Sequence, residues 1–133
     1  MSIQSILLPV FIQVALIFAV CFRMLYARNA KPGGAGDSEP GRLAGDSFRN
    51  QFEIPVLFFA LIPLAILTRQ AGHLFVVLEW IFVLSRIAHA FVHVTSNRQP
   101  ARGLLWILGV ATLLAMWIIF ALAVLFPPSV APL

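Results

Sequence analysis

Four apolar stretches, each about as long as a bilayer is thick, constrain this chain more than any other feature. A helix rising about 1.5 Å per residue needs ~20 mostly apolar residues to cross ~30 Å of hydrocarbon. The first stretch runs from about Ile3 to Met24, with no formal charge before Arg23. The second covers about Asn50 to Thr68, with Glu53 near its start and Pro55 and Pro63 inside. The third runs from about Ala71 to Thr95 and the fourth from about Gly103 to Phe126. In water, a chain of 133 residues that is 61% hydrophobic and 11% charged could not cover its own surface. Soluble domains carry roughly 45–50% and about 25%. The fold these runs specify is all-α, a single-domain integral membrane four-helix bundle. The runs are too long and too uniformly apolar for the alternation of a barrel.

Other classes fall away on the same numbers. Disorder requires low hydrophobicity and high charge. A disulfide scaffold needs more than the single Cys21. The net charge of +4 does not point to nucleic acid, because the nine Lys and Arg sit mostly at the ends of apolar runs rather than along one polar face. The first run lacks a basic leader and an A-x-A cleavage site, so it is expected to be retained.

Those basic residues predict an orientation. Arg23, Arg28, Lys31, Arg42 and Arg49 flank the first connection, Arg98 and Arg102 the third, and only Arg69 the second. The positive-inside rule places connections one and three in the cytoplasm and both termini outside. Residues 26–48 hold five glycines with Pro32 and Pro40, and are expected to form a long polar loop. Arg69-Gln70 leaves room only for a tight turn, so spans two and three should be antiparallel neighbours. Proline lacks a backbone donor, so Pro55 and Pro63 predict a bend in span two.

Span three carries Glu79, Arg86, His89 and His93. At about 100° per residue, with Glu79 at zero, Arg86 falls near −20°, His93 near −40° and His89 near −80°. One face thus holds these four groups, including every formal charge of the helix, while Leu78, Ile81 and Leu84 point elsewhere. Asn50 and Glu53 share a face at the same end of span two as His89, His93 and Arg102. A buried ion pair, Glu53 or Glu79 against Arg86, would explain the charges as packing. A polar ligand site opening to the cytoplasm explains the set better, since a charge in mid-membrane costs ~2.5–3.5 kcal/mol.

Asn50-Gln51-Phe52-Glu53 with Pro55, then Arg86-Ile87-Ala88-His89 with His93, then Arg102 and Gly109, in a four-span chain, resembles the MAPEG family of microsomal glutathione transferases and related eicosanoid enzymes. The resemblance implies a homotrimer of four-helix bundles in a bacterial-type cytoplasmic membrane. Glutathione would bind between subunits near the cytoplasmic face, as a co-substrate. It implies that Asn50 and Glu53 hold the tripeptide's backbone and amino group, and that Arg23 or Arg28 meets a carboxylate. Arg86 matches the motif arginine, and Arg102 matches the arginine that stabilises the thiolate. Two positions depart from the family pattern. Asp46 stands where an arginine is usual, with Arg49 as a substitute, and His93 stands where a tyrosine is usual.

Such a ligand wants arginines for its carboxylates and Glu53 for its ammonium. A guanidinium at Arg102 favours the thiolate, and a neutral His93 or His89 could accept the proton. Small apolar electrophiles or lipid hydroperoxides would enter from the bilayer. Two other readings exist. His89 and His93, four apart, could share a metal, although no cysteine lies near and no metal is expected. The fold could also be a non-catalytic bundle that binds lipid or a partner membrane protein.

Overall fold

The computed structural model of the chain describes residues 2–29, 39–96 and 99–128. Among these residues the apolar runs are helical and no strand occurs. The helices are α1 (Ile3–Asn29), α2 (Glu39–Asn50), α3 (Pro55–Leu67), α4 (His73–Val94) and α5 (Gln99–Leu125). Four stretches are long and apolar enough to cross a membrane: Ile3–Ala27, Gly41–Leu67, His73–Val94 and Pro100–Leu125. The second is assembled from α2 and α3.

This corrects the expectation of a loop over residues 26–48. Helix α1 continues to Asn29 and α2 begins at Glu39, well before Asn50. The glycines of α2 are packing residues rather than breakers. Gly41, Ala44, Gly45 and Ser47 are buried on α2, which packs on α1 and α4, while Arg42 and Arg49 face outward. Small side chains let helix backbones approach closely. That contact outweighs a helix propensity penalty of about 1 kcal/mol for each glycine. The fourth span, α5, likewise starts at Gln99 rather than Gly103. The segment Gly33-Gly34-Ala35-Gly36 lies outside the described residues.

The bend expected from proline is a full break at residues 51–54. Pro55 has no N–H, so the Gln51 carbonyl loses its helical donor. The chain tightens there into i→i−3 turns, with Gln51 N–H donating to Phe48 O (3.0 Å) and Phe52 N–H to Arg49 O (2.9 Å). Pro63, by contrast, is accommodated inside a continuous α3. The break turns Gln51 inward. The Nε2 of Gln13 on α1 donates to Gln51 Oε1 at 3.1 Å, and Gln51 Nε2 donates to Ser47 O at 3.3 Å, all buried.

At the far end of α3 the connection to α4 is a Schellman turn. Arg69 sits in the left-handed region (φ 58). Its N–H donates to Ile66 O at 3.1 Å and the Gln70 N–H donates to Ala65 O at 2.8 Å. The next helix begins four residues later, at His73.

Helix α4 is the centre of the bundle and packs on α1, α2 and α5. Its apolar half meets α3 through Phe58 and Phe82, whose rings stack at 4.7 Å with 21° between planes. Leu61, Ile62, Ala65, Val83, Leu113 and Met116 fill the space around them. The outer surface is apolar instead, with Phe11, Phe18, Phe22, Phe91 and Leu104 exposed. The interior, meanwhile, buries Gln13, Gln51, Glu79, Arg86, His89 and His93. A polar interior under an apolar exterior is the packing of a protein solvated by lipid tails.

Candidate functional site

The polar face of α4 is wholly inside the bundle. Glu79 is 0% exposed and Arg86 1%, and His89 and His93 are also buried. No ion pair joins them. Among the described residues neither carboxylate oxygen of Glu79 has a hydrogen-bond partner, nor has any of the three guanidinium nitrogens of Arg86. The packing explanation through a Glu79–Arg86 or Glu53–Arg86 pair is therefore not realised as a contact. The reason is spacing: Glu79 and Arg86 are seven residues apart on one helix, about 10 Å along its axis. Glu53, within the break, is exposed, and its charge reaches Arg86 only at a distance.

Toward the connection-one and connection-three end, α4 opens into a pocket of about 370 Å³. Asp46 and Asn50 line it from α2, His89 and His93 from α4, and Arg102, Gly103 and Trp106 from α5. The two imidazoles meet edge to face, with ring centroids 5.7 Å apart. Each leaves its Nδ1 without a hydrogen-bond partner. Asp46 and Arg102, which line the same pocket, act on His93 with opposite electrostatic sign. Three helices thus converge on one pocket carrying a guanidinium, a carboxylate, an amide and two imidazoles. Such a site can grip a small polar molecule and polarise an acidic proton.

The expected residues divide. Asn50, His89, His93 and Arg102 share the pocket, and Arg86 is buried one turn deeper on the same helix face. Glu53 is not part of the lining, because the Pro55 break directs it outward. Arg49 is also outside it, 79% exposed, with its guanidinium 3.9 Å from Asp46. Arg23 lies on a separate apolar groove between α1 and α4 beside Leu16, Ile87 and Phe91. The side chain of Arg28 lies outside the described residues. Sequence reasoning missed Gly103 and Trp106 as lining and the Gln13–Gln51 bond. Two isolated glutamines in apolar runs were the available signal for that bond. Among the described residues no three His, Cys, Asp or Glu side chains are grouped so as to hold a metal ion.

The α4–α5 contact beneath the pocket depends on Gly109. A Cβ there would lie 3.0 Å from Ser85 Oγ and 3.5 Å from Arg86 Cδ. The Ser85 hydroxyl is held by its 2.6 Å bond to Phe82 O. Gly109→Val is therefore expected to destabilise the detergent-solubilised protein by about 1–3 kcal/mol, as overpacking does elsewhere. A thermal midpoint unchanged from the parent would show that the two helices are not in close contact at this depth.

Comparison with known proteins gives one match. The family model described as MAPEG family matches residues 6–122, nearly the whole chain. No curated protein and no solved structure matches.

Proposed function

The chain belongs to the MAPEG family, and from that premise we propose that it is a membrane-bound glutathione- or thiol-dependent transferase or peroxidase. Its substrates are apolar electrophiles or lipid hydroperoxides. The observation that carries this reading is the meeting of Arg102, His89 and His93 in one pocket, at the end of an otherwise lipid-solvated bundle. A free thiol has pKa ~8.5, and the thiolate is the nucleophile. A guanidinium beside the sulfur lowers the cost of ionisation, and His93 accepts or relays the proton.

In conjugation the thiolate's electron pair forms the new S–C bond, and the electrophile's leaving group or alkoxide departs or is protonated. In peroxide reduction two thiols become a disulfide, while the hydroperoxide becomes an alcohol and water. Asn50 and His89 orient the thiol's polar body, and Arg86, one turn deeper, supplies positive potential from below. We take the working assembly to be a homotrimer with the pocket facing the cytoplasm. There a neighbouring copy would bring Arg23 or Arg28, and Glu53 with Arg49 would border the entrance.

The test is thiolate absorbance in the ultraviolet as glutathione is titrated into the solubilised protein at neutral pH. A saturable signal is expected, and Arg102→Ala should abolish it while leaving the assembly intact by sedimentation. A signal that survives Arg102→Ala removes Arg102 from the chemistry. No signal from the intact parent assembly would favour a non-catalytic bundle that binds lipid or a partner protein.

A further inference from the structure

We propose that Glu79 is a proton-binding site: its carboxyl is the neutral acid and donates that proton in a hydrogen bond to the main-chain carbonyl of Ser5 on α1. Glu79 is 0% exposed within the single chain, so neither a neighbouring copy nor a lipid headgroup reaches it. As a carboxylate it is an acceptor only, and among the described residues no donor meets either oxygen. An unpaired carboxylate sealed in an apolar interior is among the costliest groups a chain can bury. With its proton the same group is uncharged and a donor, and what it then needs is an acceptor.

Helix α1 carries one at the right place. Pro9 stands inside α1 and is fully buried. Proline has no N–H, so the carbonyl of Ser5, four residues back, loses its helical donor. That carbonyl lies beside Pro9, on the face of α1 that also buries Ile6 and Gln13. Helix α1 packs on α2 and α4, and α2 ends at Asn50, beside the Gln51 that meets Gln13. From Gln13 towards Ile3, therefore, the helix that α1 packs on is α4.

The two helices run in the same direction, and the groove between them gives their register. Its lining extends from Leu16 to Arg23 on α1 and from Ile87 to Val94 on α4, at the same residue spacing. With Leu16 level with Ile87, Ser5 is level with Val76 and Pro9 with Trp80. Side chains on a helix lean towards its N-terminus. The carboxyl of Glu79 thus leans towards the level of Val76, where the Ser5 carbonyl stands. The same lean carries it away from Arg86. Gln13 Oε1 is also a buried acceptor without a partner, but it is level with Leu84, ~7.5 Å from Glu79 along the axis and on the opposite side.

The experiment is infrared difference spectroscopy of the full-length reconstituted protein at neutral pH, parent minus Glu79→Gln. The parent is expected to show the carbonyl stretch of a protonated carboxyl, and Glu79→Gln to remove it. Pro9→Ala restores an N–H that draws the Ser5 carbonyl back into the helix. The Glu79 stretch is then expected to move to higher frequency, as a carboxyl deprived of its acceptor does. Pro9→Val restores the same N–H with more of the ring's volume, and gives the same reading if Pro9→Ala fails to fold. A difference spectrum in which Glu79→Gln removes carboxylate bands instead overturns the proposal. A protonated band that neither proline variant moves overturns Ser5 as the acceptor.

Discussion

Exchanging Arg86 for leucine is expected to make α4 insert into a bilayer more readily by about 3 kcal/mol, the gap between the two side chains near a span's centre on insertion scales. The midpoint of His73–Val94 falls between Val83 and Leu84, so Arg86 stands close to mid-membrane. Too deep to reach the interface easily, its guanidinium also finds no hydrogen-bond partner among the described residues. Measured as glycosylation-reported insertion of the isolated α4 segment, the parent should insert poorly and Arg86→Leu well. Equal insertion of the two would show that Arg86 is not carried in hydrocarbon. The same exchange in the whole protein is expected to abolish the thiolate response. A residue that opposes insertion and makes no internal hydrogen bond among the described residues is one a ligand has to justify.

Phe82→Ala carries the second large effect, in the opposite direction. Phe82 is 0% exposed and stacked on Phe58, so truncation removes the contact through which α3 meets α4. Phenylalanine-to-alanine changes in cores cost roughly 3–5 kcal/mol in water. Here about 3 kcal/mol is expected, since lipid tails solvate a released phenyl ring and the cost is mostly lost packing. A steric-trap or mild-denaturant measurement of the reconstituted protein would read it. A loss below about 1 kcal/mol would mean that the surrounding side chains collapse into the space. Phe58→Ala combined with Phe82→Ala should cost less than the two separate losses added, because the stacked pair is then counted once.

The parts of this fold legible in the sequence are those governed by solvent. Lipid demands long apolar runs, and an expensive charge demands a protected face. The spans and the inward row of Glu79, Arg86, His89 and His93 follow from those demands. What the sequence did not disclose depends on which helix lies beside which. Gly41 and Gly45 read as breakers when only propensity is counted, and become packing residues once α1 lies against them. Pro55 announces a bend but not its direction, and the direction decides that Gln51 turns inward while Glu53 turns outward. Asn50 and Glu53 are neighbours on an unbroken helix, so reasoning from periodicity placed both in one site. The break separates them. Asp46 was visible only as a departure from a pattern, and its place in the pocket lined by His93 and Arg102 needed the third dimension.

The bond between Gln13 and Gln51 joins the first membrane span to the second without competition from water. Loss of either amide alone strands the other in hydrocarbon, whereas replacing both with apolar side chains of similar size is close to neutral. Under mutation and selection the two positions therefore behave as one character. Among sequences of this kind they should change together, passing from an amide pair to an aliphatic pair with few mixed intermediates. Across an alignment, that joint variation would report the contact between the spans without any coordinates.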